Sequence, residues 1–194
     1  MQLRRVDALL YFPAVIIGGM ITLGGLAWVY EKTRRKVQHP KWGTLVLDGD
    51  QWRFLVPHFL EAEPAVTVEI PGGRKEPHAE DLERFEKVWP RMPEMVEAAR
   101  VKAIEDLQDA YDAVLGESLE AELRPIVERV AADPKALDQD WKLGAVRIYE
   151  GQQGGRYWSL EFETSWDEEH QRTAYYDLEG KLLRYDLSVT VIDL

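Results

Sequence analysis

WSLEFETSWDEEHQRTAYYD, residues 158–177, is the stretch on which the fold turns. From Trp158 to Trp166 bulky and polar residues alternate with the period of a half-buried strand. Trp158, Leu160, Phe162, Thr164 and Trp166 share one face, while Ser159, Glu161, Glu163 and Ser165 share the other. The loop DEEHQ (167–171) breaks the alternation and TAYYDL resumes it, so the stretch predicts two strands joined by an acidic connection. The even face is expected to be core. Continuing the odd parity brings Asp167 into line with Glu161 and Glu163, a row of carboxylates running into Glu168, Glu169 and His170.

The neighbouring segments read the same way. Residues 145–150 and 181–193 are rich in aromatic and β-branched residues, with GQQGG (151–155) and Glu179-Gly180 as connections. Upstream, WGTLVLDGDQWRFLVPHF (42–59) predicts a hairpin turning at Asp48-Gly49-Asp50, and AVTVEIPGG (65–73) a third strand ended by Pro71-Gly72-Gly73. Between these blocks the period changes to that of a helix. Leu82, Phe85 and Val88 recur until Pro90 and Pro93; Val96, Ala99, Ala103, Leu107, Ala110 and Val114 then form a stripe that Gly116 should stop. A third helical stretch, about 118–132, contains Pro125. Strands, then helices, then strands predict an α+β domain with a largely antiparallel sheet and amphipathic helices on one side.

A different segment comes first. ALLYFPAVIIGGMITLGGLAWVY (8–30) has no charged residue, and as a helix it would extend roughly 35 Å, enough to cross a hydrocarbon core of about 30 Å. Tyr11, Trp28 and Tyr30 stand near its ends, and EKTRRK (31–36) follows. A secretory signal peptide is the competing reading, but the apolar run is longer than a usual signal core and no A-x-A-like cleavage site closes it. A single transmembrane helix is therefore expected, with residues 1–36 forming an anchor and basic collar and 37–194 a soluble domain. Lys32, Arg34, Arg35 and Lys36 outweigh Arg4 and Arg5, which favours a cytoplasmic C-terminal domain. The absence of cysteine agrees with a reducing compartment. Ala14, Gly18 and Thr22 have small-xxx-small spacing, and Gly25 lies near the face of Gly18, as a helix-packing surface for a membrane partner or a second copy would require.

Charge narrows the partners. The whole chain carries −11, but residues 1–36 hold six Lys+Arg and two Asp+Glu. That leaves 18 basic and 33 acidic residues in 37–194, net −15. Such a domain repels phosphates, which argues against nucleic acid.

The Asp167–His170 loop has ligand types suited to a divalent ion, and a buried carboxylate beside an imidazole can serve acid–base chemistry. No second histidine stands at ligand spacing, and nothing in the sequence identifies a nucleophile or a phosphate cradle. The plainer reading is a turn whose acids pair across strands with Arg147, Arg172 or Arg184. The tryptophans are expected mainly in the core, with one or two exposed as protein-binding anchors.

Gly43, Leu45, Trp52, Trp166, Asp167, Glu168, Glu169 and His170, taken with the order of strands and helices, resemble an uncharacterised bacterial domain family with a late W-D/E-E-E-H motif. The resemblance spans about 42–194, and Gln171 departs from the glycine that usually follows the histidine. It implies an immunity-like binding module, here fused to a membrane anchor. Together these readings predict a single-pass protein of the bacterial inner membrane, not an enzyme and without cofactor. Its acidic domain would bind a protein partner through Glu161, Glu163, Asp167, Glu168, Glu169 and His170. An enzyme centred on Asp167 to His170 is the alternative.

Overall fold

The computed structural model describes residues 35–57, 65–150, 155–167 and 171–187. The chain divides into two units at Lys36 and Val37, and the fold below is that of the second. Among the described residues eight strands form one mixed sheet in chain order: β1 (Lys36–His39), β2 (Gly43–Asp48), β3 (Gln51–Val56), β4 (Val66–Pro71), β5 (Trp141–Glu150), β6 (Arg156–Thr164), β7 (Arg172–Tyr176) and β8 (Leu182–Leu187). The hairpin turn sits at Gly49, whose φ of 66° suits glycine.

Strands β2–β3, β3–β4, β5–β6, β6–β7 and β7–β8 pair antiparallel, whereas β4 and β5 run parallel, with Val68 opposite Val146. Parallel neighbours need a long crossover, and three helices supply it. These are α1 (Ala79–Val88), α2 (Met92–Ala113) and α3 (Glu120–Ala132). A 3₁₀ turn at Trp89–Arg91 carries Pro90 between α1 and α2. Pro93 stands in the first turn of α2, where a missing N–H removes no helical bond. Pro125 lies inside α3 without ending it; the buried Leu123 and Val130 hold both halves against the core.

The mixed α+β architecture agrees with the sequence reading, and four details differ. Residues 36–39, for which no strand was expected, form edge strand β1. Strand β5 begins at Trp141 rather than Ala145, because the register shift between Leu143 and Ala145 lets the strand run through Gly144. The β4–β5 pairing is parallel. Strand β6 ends at Thr164, and Ser165-Trp166 form a bend.

The even face of β6 is core as expected, with Trp158, Leu160 and Phe162 each 0% exposed. Helices cover this side. The Phe85 ring of α1 lies 6.2 Å from Trp158, and the Tyr176 hydroxyl donates to the Met95 carbonyl of α2 at 2.5 Å. Trp141 stacks on Phe162 with ring centroids 4.0 Å apart. Asp81, fully buried in the first turn of α1, binds Arg156 at the start of β6 at 3.0 Å and so ties helix to sheet. Among the described residues no tryptophan is exposed.

Among the described residues no helix is long and apolar enough to cross a membrane. The segment 8–30, with Ala14, Gly18, Thr22 and Gly25, lies outside them.

Candidate functional site

The helices leave the other sheet face to the odd residues of β6 and their neighbours. In register, Arg53 of β3 stands opposite Glu69 of β4, and Glu69 opposite Arg147 of β5. The Glu69 carboxylate meets Arg53 Nε at 2.6 Å and Arg147 Nε at 2.8 Å. Arg147 Nη1 reaches Glu161 of β6 at 2.9 Å, and Arg53 also pairs with Asp48 of β2. Charges thus alternate across five strands, Asp48–Arg53–Glu69–Arg147–Glu161. Because each side chain lies along its neighbours, Glu69 is only 5% exposed on a face that no described helix covers.

Burial raises the Glu161 carboxyl above its ordinary value; Arg147 opposes the rise and Glu69 adds to it. One guanidinium therefore serves two crowded carboxylates. Beyond Glu161, at the far end of β5 and β6, lies a tyrosine group. Tyr149 stacks near Tyr157 at 6.1 Å and meets Tyr175 edge-on at 6.3 Å. Tyr157 and Tyr175 are buried, whereas Tyr149 remains 39% exposed. The exposed aromatic on this face is a tyrosine, where the sequence reading looked for tryptophan.

The expected single row of carboxylates is divided. Glu161 belongs to the charge lattice. Glu163 is exposed and, with Asp167, Asp140, Lys142, Ser165 and Gln171, lines a cleft of about 430 Å³ at the opposite end of β6. The bend at Ser165-Trp166 cancels the parity that would have aligned Asp167 with Glu161. Its carboxylate instead meets Arg172 Nη1 at 2.9 Å, and Arg172 Nε holds Asp106 of α2 at 2.8 Å. Arg172 stands opposite Phe162, on the helix side. Burial acts against its charge, and the hydrogen bonds to Asp106 and Asp167 outweigh burial and raise its pKa. Asp140 accepts a hydrogen bond from Ser165 Oγ at 2.8 Å and pairs with Arg129 of α3.

Glu168, Glu169 and His170 lie outside the described residues. Of the expected pairings of the turn's acids with Arg147, Arg172 or Arg184, the structure shows Asp167 with Arg172; Arg147 pairs instead with Glu161 of β6, and Arg184 with Asp186 of its own strand. Among the described residues no cluster of three or more His, Asp or Glu side chains could hold a metal ion.

Sequence reasoning missed Glu69, Asp106, Asp140 and Lys142. Glu69 was visible as the single acid within the apolar strand VTVEI, and a charge in such a strand calls for a partner. Asp106, Asp140 and Lys142 carry no comparable local signal.

No family model, curated protein or solved structure matches the chain.

Proposed function

We propose that the chain is a single-pass protein of the bacterial inner membrane whose cytoplasmic acidic domain docks a basic protein partner on the open face of its sheet. In this role it is an accessory subunit of a membrane complex or an immunity-like module. The observation that carries the reading is the ion-pair lattice on the sheet face that no described helix covers. A broad polar surface with a preformed lattice of ion pairs ends in an exposed tyrosine, and rigid aromatic anchors of this kind dominate interface energetics. The net −15 of the domain would speed encounter with a basic partner at low salt.

The test starts from the full-length protein purified in mild detergent with its bound partner. Tyr149→Ala is expected to weaken the complex about tenfold or more, in the range of an interface hot spot. Glu163→Lys should mainly slow association and flatten its salt dependence. Binding unaffected by both variants, in proteins that melt like wild type, rejects the open face as the docking surface.

A second reading is favoured by the cleft of Asp140, Lys142, Glu163 and Asp167: a metal-dependent or acid–base enzyme centred on Asp167 to His170. A metal bound only by the folded state raises the melting temperature, by about 2.7 kcal/mol of stability at a hundredfold excess over its dissociation constant. The docking reading expects no shift with magnesium, calcium, manganese or zinc. A saturable rise abolished by Asp167→Asn would replace it with the metal-enzyme reading.

A further inference from the structure

Strand β8, LLRYDL (182–187), is an edge of the sheet: among the described residues it pairs with β7 and has no strand on its outer side. Every second residue of an edge strand turns its N–H and C=O outward, a template on which another strand can form. Natural edges are blunted by shortness, lysine or proline. The other edge, β1, has four residues and is followed at once by Pro40. β8 has six residues and neither lysine nor proline among them. Its pairing with β7 shifts register at Tyr175/Tyr176, opposite the start of β8, and is regular from Arg184 to Leu187.

The order of charges on β8 selects a partner. Arg184 lies opposite Tyr175 and Asp186 opposite Thr173, and Thr173 in turn lies opposite Glu161, so both charges stand on the face of the ion-pair lattice. Their side chains are 39% and 27% exposed and contact each other along the strand. A second β8 laid antiparallel against the first can match outward-turned groups only in registers two residues apart. With the two-fold axis at Tyr185, Arg184 of each copy stands opposite Asp186 of the other. Two residues one way set Arg184 against Arg184, and two residues the other way set Asp186 against Asp186. Like charges directly opposite each other are destabilising, so the first register is favoured and its neighbours are not.

We propose that the chain forms a two-fold dimer by antiparallel pairing of its β8 strands about Tyr185. Arg184, Asp186 and their counterparts then make a square of alternating charge, and the sheet continues from one copy into the other. Leu183, 45% exposed, comes against the far end of the second β8. The helices of both copies lie on one side of the joined sheet and both ion-pair lattices on the other, so the dimer presents the proposed docking face twice.

The chain has no cysteine, so introduced thiols report the pairing directly. Residues opposite each other have Cα atoms about 5 Å apart, within disulfide reach, whereas residues offset by two positions are roughly 8 Å apart and beyond it. Full-length Arg184→Cys and Asp186→Cys proteins are mixed in mild detergent and oxidised, and the products are resolved by mass spectrometry. The mixed disulfide is expected to dominate both homodisulfides. A statistical mixture, or no disulfide, overturns the proposal. Sedimentation equilibrium of the full-length protein gives the second readout. R184D turns two attractive pairs into two repulsive ones and should weaken the dimer about tenfold or more, and R184D/D186R should restore it. Both side chains are partly exposed, so unchanged melting is expected, and a variant that melts early is judged by the disulfide pattern. A monomer at every concentration, a dimer indifferent to R184D, or a double variant that stays weak each overturns the β8 pairing. Partner binding that survives loss of the dimer leaves the docking face standing.

Discussion

Replacing Trp158 with alanine should lower stability by about 3–5 kcal/mol, the range for a fully buried large aromatic. The indole is 0% exposed, stands between Ile148 and Tyr176 in the sheet and faces Phe85 of α1. Truncation would open a cavity where the helices meet the sheet. For a domain of this size each kcal/mol moves the melting temperature by about 2–4 °C, so a fall on the order of 10 °C is expected by near-ultraviolet circular dichroism of the full-length protein in detergent. Trp158→Phe separates packing from hydrogen bonding. The indole N–H is buried and makes no hydrogen bond among the described residues, so phenylalanine gives up area but removes an unsatisfied donor. Its expected loss is below about 1.5 kcal/mol. A Phe variant as unstable as the Ala variant contradicts this account.

Replacing Arg147 with alanine should cost about 2–3 kcal/mol near neutral pH, less than a fully buried pair because the arginine side chain is 40% exposed. Glu69 and Glu161 have 6% and 12% exposed side chains, and Glu161 would be left without the arginine that offsets its burial. The pH dependence identifies the cause. A carboxyl whose folded pKa is raised favours folding below the ordinary glutamate value of 4.5, and that contribution is lost as pH rises through the folded pKa. Without Arg147 the folded pKa of Glu161 rises further. The variant should therefore be penalised most near neutrality and recover towards wild type as pH falls to the ordinary glutamate value. Adding Glu161→Gln should restore much of the loss at neutral pH. An Arg147→Ala penalty that is the same at acid and neutral pH would show that lost packing, not uncompensated charge, is responsible.

Parts of the site were legible from local pattern. The odd parity of β6 correctly separates Glu161 and Glu163 from the core side, and the neighbouring arginines correctly suggest ion pairing. The assignment of Asp167 to the same row fails because side-chain alternation holds only while the backbone stays extended, and the chain bends at Ser165-Trp166. Tyr149, Tyr157 and Tyr175 were each visible as strand residues. Their meeting was not, since it depends on how β5, β6 and β7 are aligned.

The amino-acid sequence by itself determined the elements: the hairpin around Gly49, helix α1 from Ala79 to Val88, the break at Pro90, and the apolar face of β6. It also determined the −15 of residues 37–194 and the uncharged stretch 8–30. These follow from short-range rules of period, turn chemistry and charge. Only the tertiary structure decided that β4 lies parallel to β5, which sets Glu69 beside Arg147 across a crossover of three helices. Only it decided that Asp106 of α2 shares Arg172 with Asp167. Local periodicity tells which side of a strand a residue faces. Which distant residue neutralises it depends on the register and packing that bury both, and that is a property of the assembled sheet.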